Sequence, residues 1–391
     1  MGNFVGIIAE YNPFHLGHAY HLEKAKELSG AEGVIVCLSG PFVQRGEAAL
    51  LSPAARAEMA LASGADLVIE LPCLFACREA EFFARGGVSL LKALGCTHLA
   101  FGAECADLDL LKRASDIIAD EPEEYAAALK AGLENGLSFA AAQGKALAQC
   151  LGRDFNAPNN ALALAYLNAL KEHPMTPVLI PRRGDYHSAQ NPTGDALPSA
   201  TAVRQALKDG DWNRVSAMCS EAALSILKRE VESGRFCFAD SLDQALGVTL
   251  MNATEEQLRR LPNVSEGLEV RLKKTAAAFT DREALLNQLK TKRYTHARLS
   301  RLLCHALLGL QRDLCAAHPL PEYARVLGFK SGAQPLLNQV KKGSLPLLTK
   351  AARWDPADPV FLLDMRAYDL WALAARQPLG MGFRQSPIIL P

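Results

Sequence analysis

Residues 4–26 constrain this chain more than any other stretch. Phe4 to Ala9 is an apolar run with the length and residue types of a buried strand. Asn12-Pro13 breaks it, and a helical pattern (Leu16, Ala19, Tyr20, Leu22, Glu23, Ala25, Lys26) follows at once. Strand-like runs recur at Gly33 to Ser39, Ala65 to Pro72, His98 to Glu104 and Pro177 to Ile180, with helical stretches between them. Strands alternating with helices imply an α/β fold built on a doubly wound parallel sheet. From about residue 211 the pattern is helical without alternating strands, and Asp209-Gly210-Asp211 reads as a hinge. The expected division is therefore an α/β domain over 1–210 and a mainly helical domain over 211–391.

A strand followed by a loop and a helix start offers free backbone N–H groups and the positive end of a helix dipole, a ready place for a phosphate. Gly17 stands where a side chain would obstruct an approaching ligand. His15 and His18, three apart, are placed to supply hydrogen-bond donors to charge building on that phosphate. A second cradle is written at Pro198-Ser199-Ala200-Thr201-Ala202-Val203-Arg204: Ser199 as helix cap, Thr201 in the first turn, Arg204 one turn later. Gln44 and Arg45 lie in the Gly-rich stretch Ser39 to Glu47 after the second strand, where an open parallel sheet presents ligand groups; Gly102 lies at a strand tip.

Composition excludes several classes. The chain has 391 residues, enough for two cores, and 49% are hydrophobic. No window approaches the eighteen or so consecutive apolar residues of a membrane span. The start lacks the basic head, apolar core and small-residue site of an export signal, so a soluble, cytoplasmic protein is expected. The ten cysteines are then expected as buried thiols; Cys73-x-x-x-Cys77 has no second pair or nearby His to complete a metal site. A zero net charge hides an asymmetry: 17 basic and 24 acidic residues through residue 210, against 25 basic and 18 acidic after it. A neutral total thus leaves room for a polyanionic partner. Lys290, Arg293 and Arg301 are spaced to share part of one helix face with Arg298 nearby, interleaved with Tyr294 and His296, a pattern fit for RNA backbone contact and base stacking.

His15-Leu16-Gly17-His18 resembles the HxGH element of the superfamily that includes class I aminoacyl-tRNA synthetases and pantetheine-phosphate and nicotinamide-nucleotide adenylyltransferases. The longer string Ala9-Glu10-Tyr11-Asn12-Pro13-Phe14-His15-x-Gly17-His18 is similar, more narrowly, to the tRNA(Met) cytidine acetate ligases. Later blocks of that family recur at Phe42 to Gly46, Arg56, Pro158-Asn159-Asn160, Pro181-Arg182-Arg183 and Ser199 to Arg204; the lysine of one block is replaced by Pro53. The resemblance implies a Rossmann-like nucleotidyltransferase domain with ATP as co-substrate and magnesium as its usual complement. By the same resemblance, Ile7, Ile8, Ala9, Glu10, Tyr11, Asn12, Pro13, Phe14, His15, Leu16, Gly17, His18, Ala19 and Tyr20 contact ATP, as do Gly102, one of Asn159 and Asn160, and Arg182 with Arg183 in reserve. His15 and His18 would steady the α-phosphate, while Ser199 and Arg204 hold the departing pyrophosphate. Acetate would be the attacking group, acetyl-adenylate the intermediate, and N4 of the wobble cytidine of elongator tRNA(Met) the acceptor, forming N4-acetylcytidine. An adenylyltransferase of dinucleotide-cofactor synthesis, and an RNA-binding protein with a vestigial nucleotide site, are the alternatives. Oligomeric state is not legible.

Overall fold

The strand expected at the start forms as β1 (Phe4–Ala9), and both of its neighbours run parallel to it: β2 (Gly33–Ser39) on one side, β6 (His98–Ala103) on the other. The computed structural model describes residues 2–181, 197–265 and 267–391. The remaining strands are a short antiparallel hairpin, β3 (Phe42–Val43) with β4 (Glu47–Ala48), then β5 (Leu67–Leu71), β7 (Thr176–Pro181), β8 (Ala324–Lys330), β9 (Leu347–Leu348) and β10 (Ile388–Leu390). The main sheet runs β10-β8-β5-β2-β1-β6-β7, with β9 against β8.

β2 is buried along its whole length, so both faces of the sheet must be covered. Alternation along it assigns Val34, Val36 and Leu38 to one core and Ile35 and Cys37 to the other. A third core, gathered from Leu246, Leu272, Leu286, Leu299 and Leu303 among others, holds the helices between Asp243 and Leu308 together. The α/β class expected from the sequence is the one observed.

The sheet does not end at residue 210, however. β8 and β10 come from the second half of the chain, and β8 lies antiparallel against β5, the one antiparallel pairing in an otherwise parallel sheet among the described residues. The second half of the chain is thus not free of strands, contrary to its helical pattern. β8 hides in the sequence because Arg325 interrupts its apolar run, yet Arg325 is buried: its Nε lies 3.5 Å from Glu70 Oε2 on β5, and its guanidinium sits 4.6 Å over the Tyr368 ring. Tyr368 donates to the same Glu70 oxygen at 2.9 Å.

Next to this pair, Asp364 accepts Cys73 N–H at 2.7 Å and the Tyr323 hydroxyl. Burial, then the nearby Glu70 carboxylate, push the Asp364 carboxyl up to about 7, and burial raises Glu70 as well. A carboxyl raised on folding keeps a proton that the unfolded chain has already released. Stability is therefore expected to fall as pH rises from about 4, the usual carboxylate value, to about 7. Asp364→Asn should flatten part of that slope when urea midpoints are compared at about pH 4.5 and 7.5; an undiminished slope would place its origin elsewhere.

Candidate active site

Helix Leu16–Ser29 begins at the carboxyl end of β1, as the sequence implies, and His15 is its N-cap. His15 Nδ1 accepts Gly17 N–H at 3.0 Å, and His18 Nδ1 accepts His15 N–H at 3.3 Å. The two imidazoles cap the helix reciprocally, the role usually taken by a hydroxyl and a carboxylate. Their rings stack with centroids 3.8 Å apart. Because each Nδ1 acts as an acceptor, the proton of each neutral ring resides on Nε2. Local backbone geometry thus selects the tautomer in which both rings carry an Nε2–H donor. Gly17 is required sterically: a Cβ there would lie 2.8 Å from the His15 ring.

Around this helix start a cavity of about 230 Å³ opens at the carboxyl ends of β1, β6 and β7. This is where open α/β sheets bind ligands. Of the expected residues, Ile7 to Asn12, His15, Gly17, His18 and Tyr20 line it from the first strand and helix, joined by Gln44, Arg45, Gly102, Asn159, Ser199 and Arg204. Pro13, Phe14, Leu16 and Ala19 are not in its lining. Phe14 is fully buried, its ring 4.8 Å from Tyr11 and 5.6 Å from His18, so it supports the histidine from behind. Arg182 and Arg183 lie outside the described residues.

The helices that meet the cavity are tied to it by polar contacts. Glu104, at the end of β6, accepts Asn159 Nδ2 at 2.6 Å and Asn160 N–H at 2.9 Å, closing the N-terminus of helix Pro158–Glu172. Asn160 turns away to accept Cys105 N–H at 2.8 Å, leaving Asn159 as the Asn on the cavity wall. Ser199 caps helix Ala200–Lys208 through Ala202 N–H at 3.1 Å. Arg204 donates to Asn12 O at 2.6 Å and stands 3.8 Å from Glu47 Oε1. Glu10 accepts Gln44 N–H at 2.8 Å; burial raises its carboxyl, opposed by that hydrogen bond and by Arg45 and Arg204. Tyr11 has the left-handed φ of 47° and a buried hydroxyl with no hydrogen-bond partner among the described residues.

Several lining residues were not singled out from the sequence: His21, Glu47, Phe83, Phe101, Leu162 and Tyr166. Asn159, Leu162 and Tyr166 follow the i, i+3, i+7 spacing of one helix face, a signal present in the sequence. Phe101 and Tyr166 stand with ring centroids 5.7 Å apart, giving this end of the cavity an aromatic wall.

The basic stripe is arranged differently from the expectation. Helix Arg282–Leu289 ends before Lys290, and Thr295 caps a new helix, His296–Leu308, by accepting Arg298 N–H at 3.4 Å. Lys290 and Arg293 therefore sit on an exposed connection and share no helix face with Arg301. A capping threonine outweighs a spacing argument because it stops the helix it would have to continue. Arg298 lies 4.8 Å over the Tyr294 ring and donates to Asn263 O at 3.0 Å. Arg301 turns inward, 3.5 Å from Glu79, and burial lowers its pKa. None of the four lines the cavity.

Arg301 also backs the β3–β4 hairpin. Gly46, at φ 76°, packs so closely that a Cβ would lie 2.6 Å from Arg301 N and Cα and Ser300 O. Ser300 donates to Arg45 O, and Arg282 donates to Gly46 O at 3.3 Å. The helical region thereby positions Gln44, Arg45 and Glu47. Gly46→Ala is expected to cost about 1–3 kcal/mol through strain and overpacking and to weaken nucleotide binding; unchanged ATP affinity by calorimetry would count against that coupling.

A family model described as HIGH Nucleotidyl Transferase matches residues 2–384. A tRNA(Met) cytidine acetate ligase of Syntrophomonas wolfei is 39% identical over 415 residues, covering 98% of this chain and 99% of its own. One from Acetivibrio thermocellus is 37% identical over 413 residues, covering 99% of each. Among solved structures, Thermotoga maritima TmcAL superposes with a TM-score of 0.90 in its apo form, at 30% identity over 99% of both chains. The same protein bound with alpha-thio ATP gives 0.88, at 30% identity over 99% of both chains. This chain belongs to the HIGH nucleotidyl transferases and, within them, to the family of tRNA(Met) cytidine acetate ligases.

Proposed function

We propose that the protein activates acetate with ATP as acetyl-adenylate and transfers the acetyl group to N4 of the wobble cytidine of elongator tRNA(Met). The observation that carries this reading is the reciprocal pair of imidazoles, His15 and His18, at a helix start inside a cavity at the strand ends. Attack of an acetate oxygen on the α-phosphorus expels pyrophosphate, and such phosphoryl chemistry depends on positioning and charge neutralisation rather than on a protein nucleophile. In the proposed arrangement both Nε2–H groups donate to oxygens of the α-phosphate. Arg204 and the start of helix Ala200–Lys208 hold the leaving pyrophosphate. The adenine lies towards Gly102, Asn159 and the Phe101–Tyr166 wall.

Among the described residues no group of three metal-ligating side chains gathers. Magnesium needs only one or two carboxylates when phosphate oxygens and water complete its shell. Glu10, a carboxylate on the cavity wall, would hold the ion, which would supply neutralisation of triphosphate charge. No helix among the described residues is long and apolar enough to cross a membrane, in keeping with the proposed action on tRNA in the cytoplasm.

The test is to incubate the protein with ATP, magnesium, labelled acetate and total tRNA and then locate the label. Acetate-dependent ATP–pyrophosphate exchange together with label in cytidine supports the proposal; exchange with no transfer to RNA would sink its second half. Lys290, Arg293 and Arg298 are proposed to meet the RNA backbone. Neutralising all three should lower the slope of log affinity against log salt by roughly two units, at about 0.7 per contact for single-stranded RNA. An unchanged slope would remove this surface from the docking face.

A further inference from the structure

A second cavity, of about 180 Å³, lies beyond the first and shares Asn12, Glu47, Thr201 and Arg204 with it. These four residues form a common wall. By liquid volume it has room for roughly six waters, the scale of one nucleobase. Its other surfaces are mainly apolar, from Ala48, Leu50, Cys237 and Phe238, with Gln205 and Lys208 at the polar side. Lys208 Nζ sits 4.9 Å from the Phe238 ring and 3.4 Å from Asp240.

Resting on the function proposed above, we infer that this second cavity receives the unpaired pyrimidine that accepts the acetyl group, with Glu47 taking the proton from its exocyclic amine. Three observations converge. An enzyme that modifies a base must take that base out of its stack, and single-stranded bases are held by stacking on aromatic side chains; Phe238 offers such a surface. The shared wall includes Thr201 and Arg204, so the pocket opens onto the place the pyrophosphate leaves, and an amine there can approach the acetyl-adenylate once that place is empty. Glu47 lines both cavities, and its ion pair with Arg204 is a loose one, at 3.8 Å. The departing pyrophosphate is taken on the ATP side of the wall, by Arg204 and the start of helix Ala200–Lys208.

The step balances without a further reactant. The amine nitrogen attacks the acetyl carbonyl carbon, forming the C–N bond. The bond from that carbon to the phosphate oxygen breaks, and AMP leaves with the electron pair. The amine proton passes to the Glu47 carboxylate and then to water.

Phe238 does not line the ATP cavity, so Phe238→Ala is expected to leave acetate-dependent ATP–pyrophosphate exchange within about twofold. It should raise the KM for tRNA by about 5- to 150-fold, since base–aromatic stacking is worth roughly 1–3 kcal/mol, with Phe238→Tyr restoring it. Glu47→Gln, mixed with preformed acetyl-adenylate and tRNA, should slow single-turnover transfer by on the order of 10²-fold. It should also lose the acid limb of the pH–rate profile. If Phe238→Ala transfers normally, or loses exchange and transfer in equal measure, the pocket does not hold the acceptor base. If Glu47→Gln keeps the wild-type pH profile, Glu47 is not the proton acceptor. Absence of exchange in the wild-type protein would instead overturn the parent proposal.

Discussion

His18→Ala lowers acetate-dependent ATP–pyrophosphate exchange by on the order of 10²–10³-fold, the usual loss when one preorganised donor to a developing charge is removed, while tRNA affinity stays nearly unchanged. The expectation rests on tautomer selection. His18 Nδ1 is occupied by His15 N–H at 3.3 Å, so its donor is Nε2–H, and its ring is held by the His15 stack at 3.8 Å and by Tyr11 at 4.8 Å. Alanine removes the donor and half of the reciprocal cap. The cap accounts for only about 1 kcal/mol of stability, too little to unfold a chain of this size, so a melting curve separates the two effects. Exchange within a few-fold of wild type, on a folded variant, would show that His18 only closes the helix.

The largest loss of stability is expected at Arg56. This side chain is fully buried and has no carboxylate within ion-pair distance among the described residues; its guanidinium donates to four backbone carbonyls. Nε reaches Leu51 O at 3.0 Å, Nη1 reaches Glu10 O at 2.7 Å and Ser39 O at 3.0 Å, and Nη2 reaches Gly40 O. One planar fork thus joins the chain leaving β1, the end of β2 and the start of helix Pro53–Ala62. Burial pushes its pKa down to about 10, which still leaves it charged at neutral pH. Arg56→Met strands four carbonyls at about 1–3 kcal/mol for each that finds no water, and a net loss of about 3–5 kcal/mol is expected in urea unfolding. Lys cannot reproduce the fork, so Arg56→Lys should recover only part of this. A loss below about 1 kcal/mol for Arg56→Met would mean that water replaces the guanidinium.

Pro53, which stands where the related block carries lysine, causes no disruption in the backbone. It opens helix Pro53–Ala62 at a position where a missing N–H costs nothing, behind the Ser52 cap on Ala55 N–H at 3.2 Å.

The parts of this protein that could be read from residues alone are those encoded within one turn or one strand. β1, the helix start behind it, the Pro158 and Ser199 helix starts and the paired histidines all follow from period, breakers and caps over fewer than about ten residues, whereas no Asn caps helix Pro158–Glu172. Packing between distant segments set the rest. β8 carries a buried arginine whose partner, Glu70, lies on another strand, so its apolar period is broken exactly where the fold compensates for it elsewhere. Arg301 belongs to a run of cations that composition assigns to solvent, yet Glu79 and the Gly46 backbone draw it inward. Glu47 matters because two cavities meet at it, a fact of assembly with no local signature. Short-range hydrogen bonds and side-chain periodicity are written along the chain, whereas the burial of a charge depends on which remote group arrives to neutralise it.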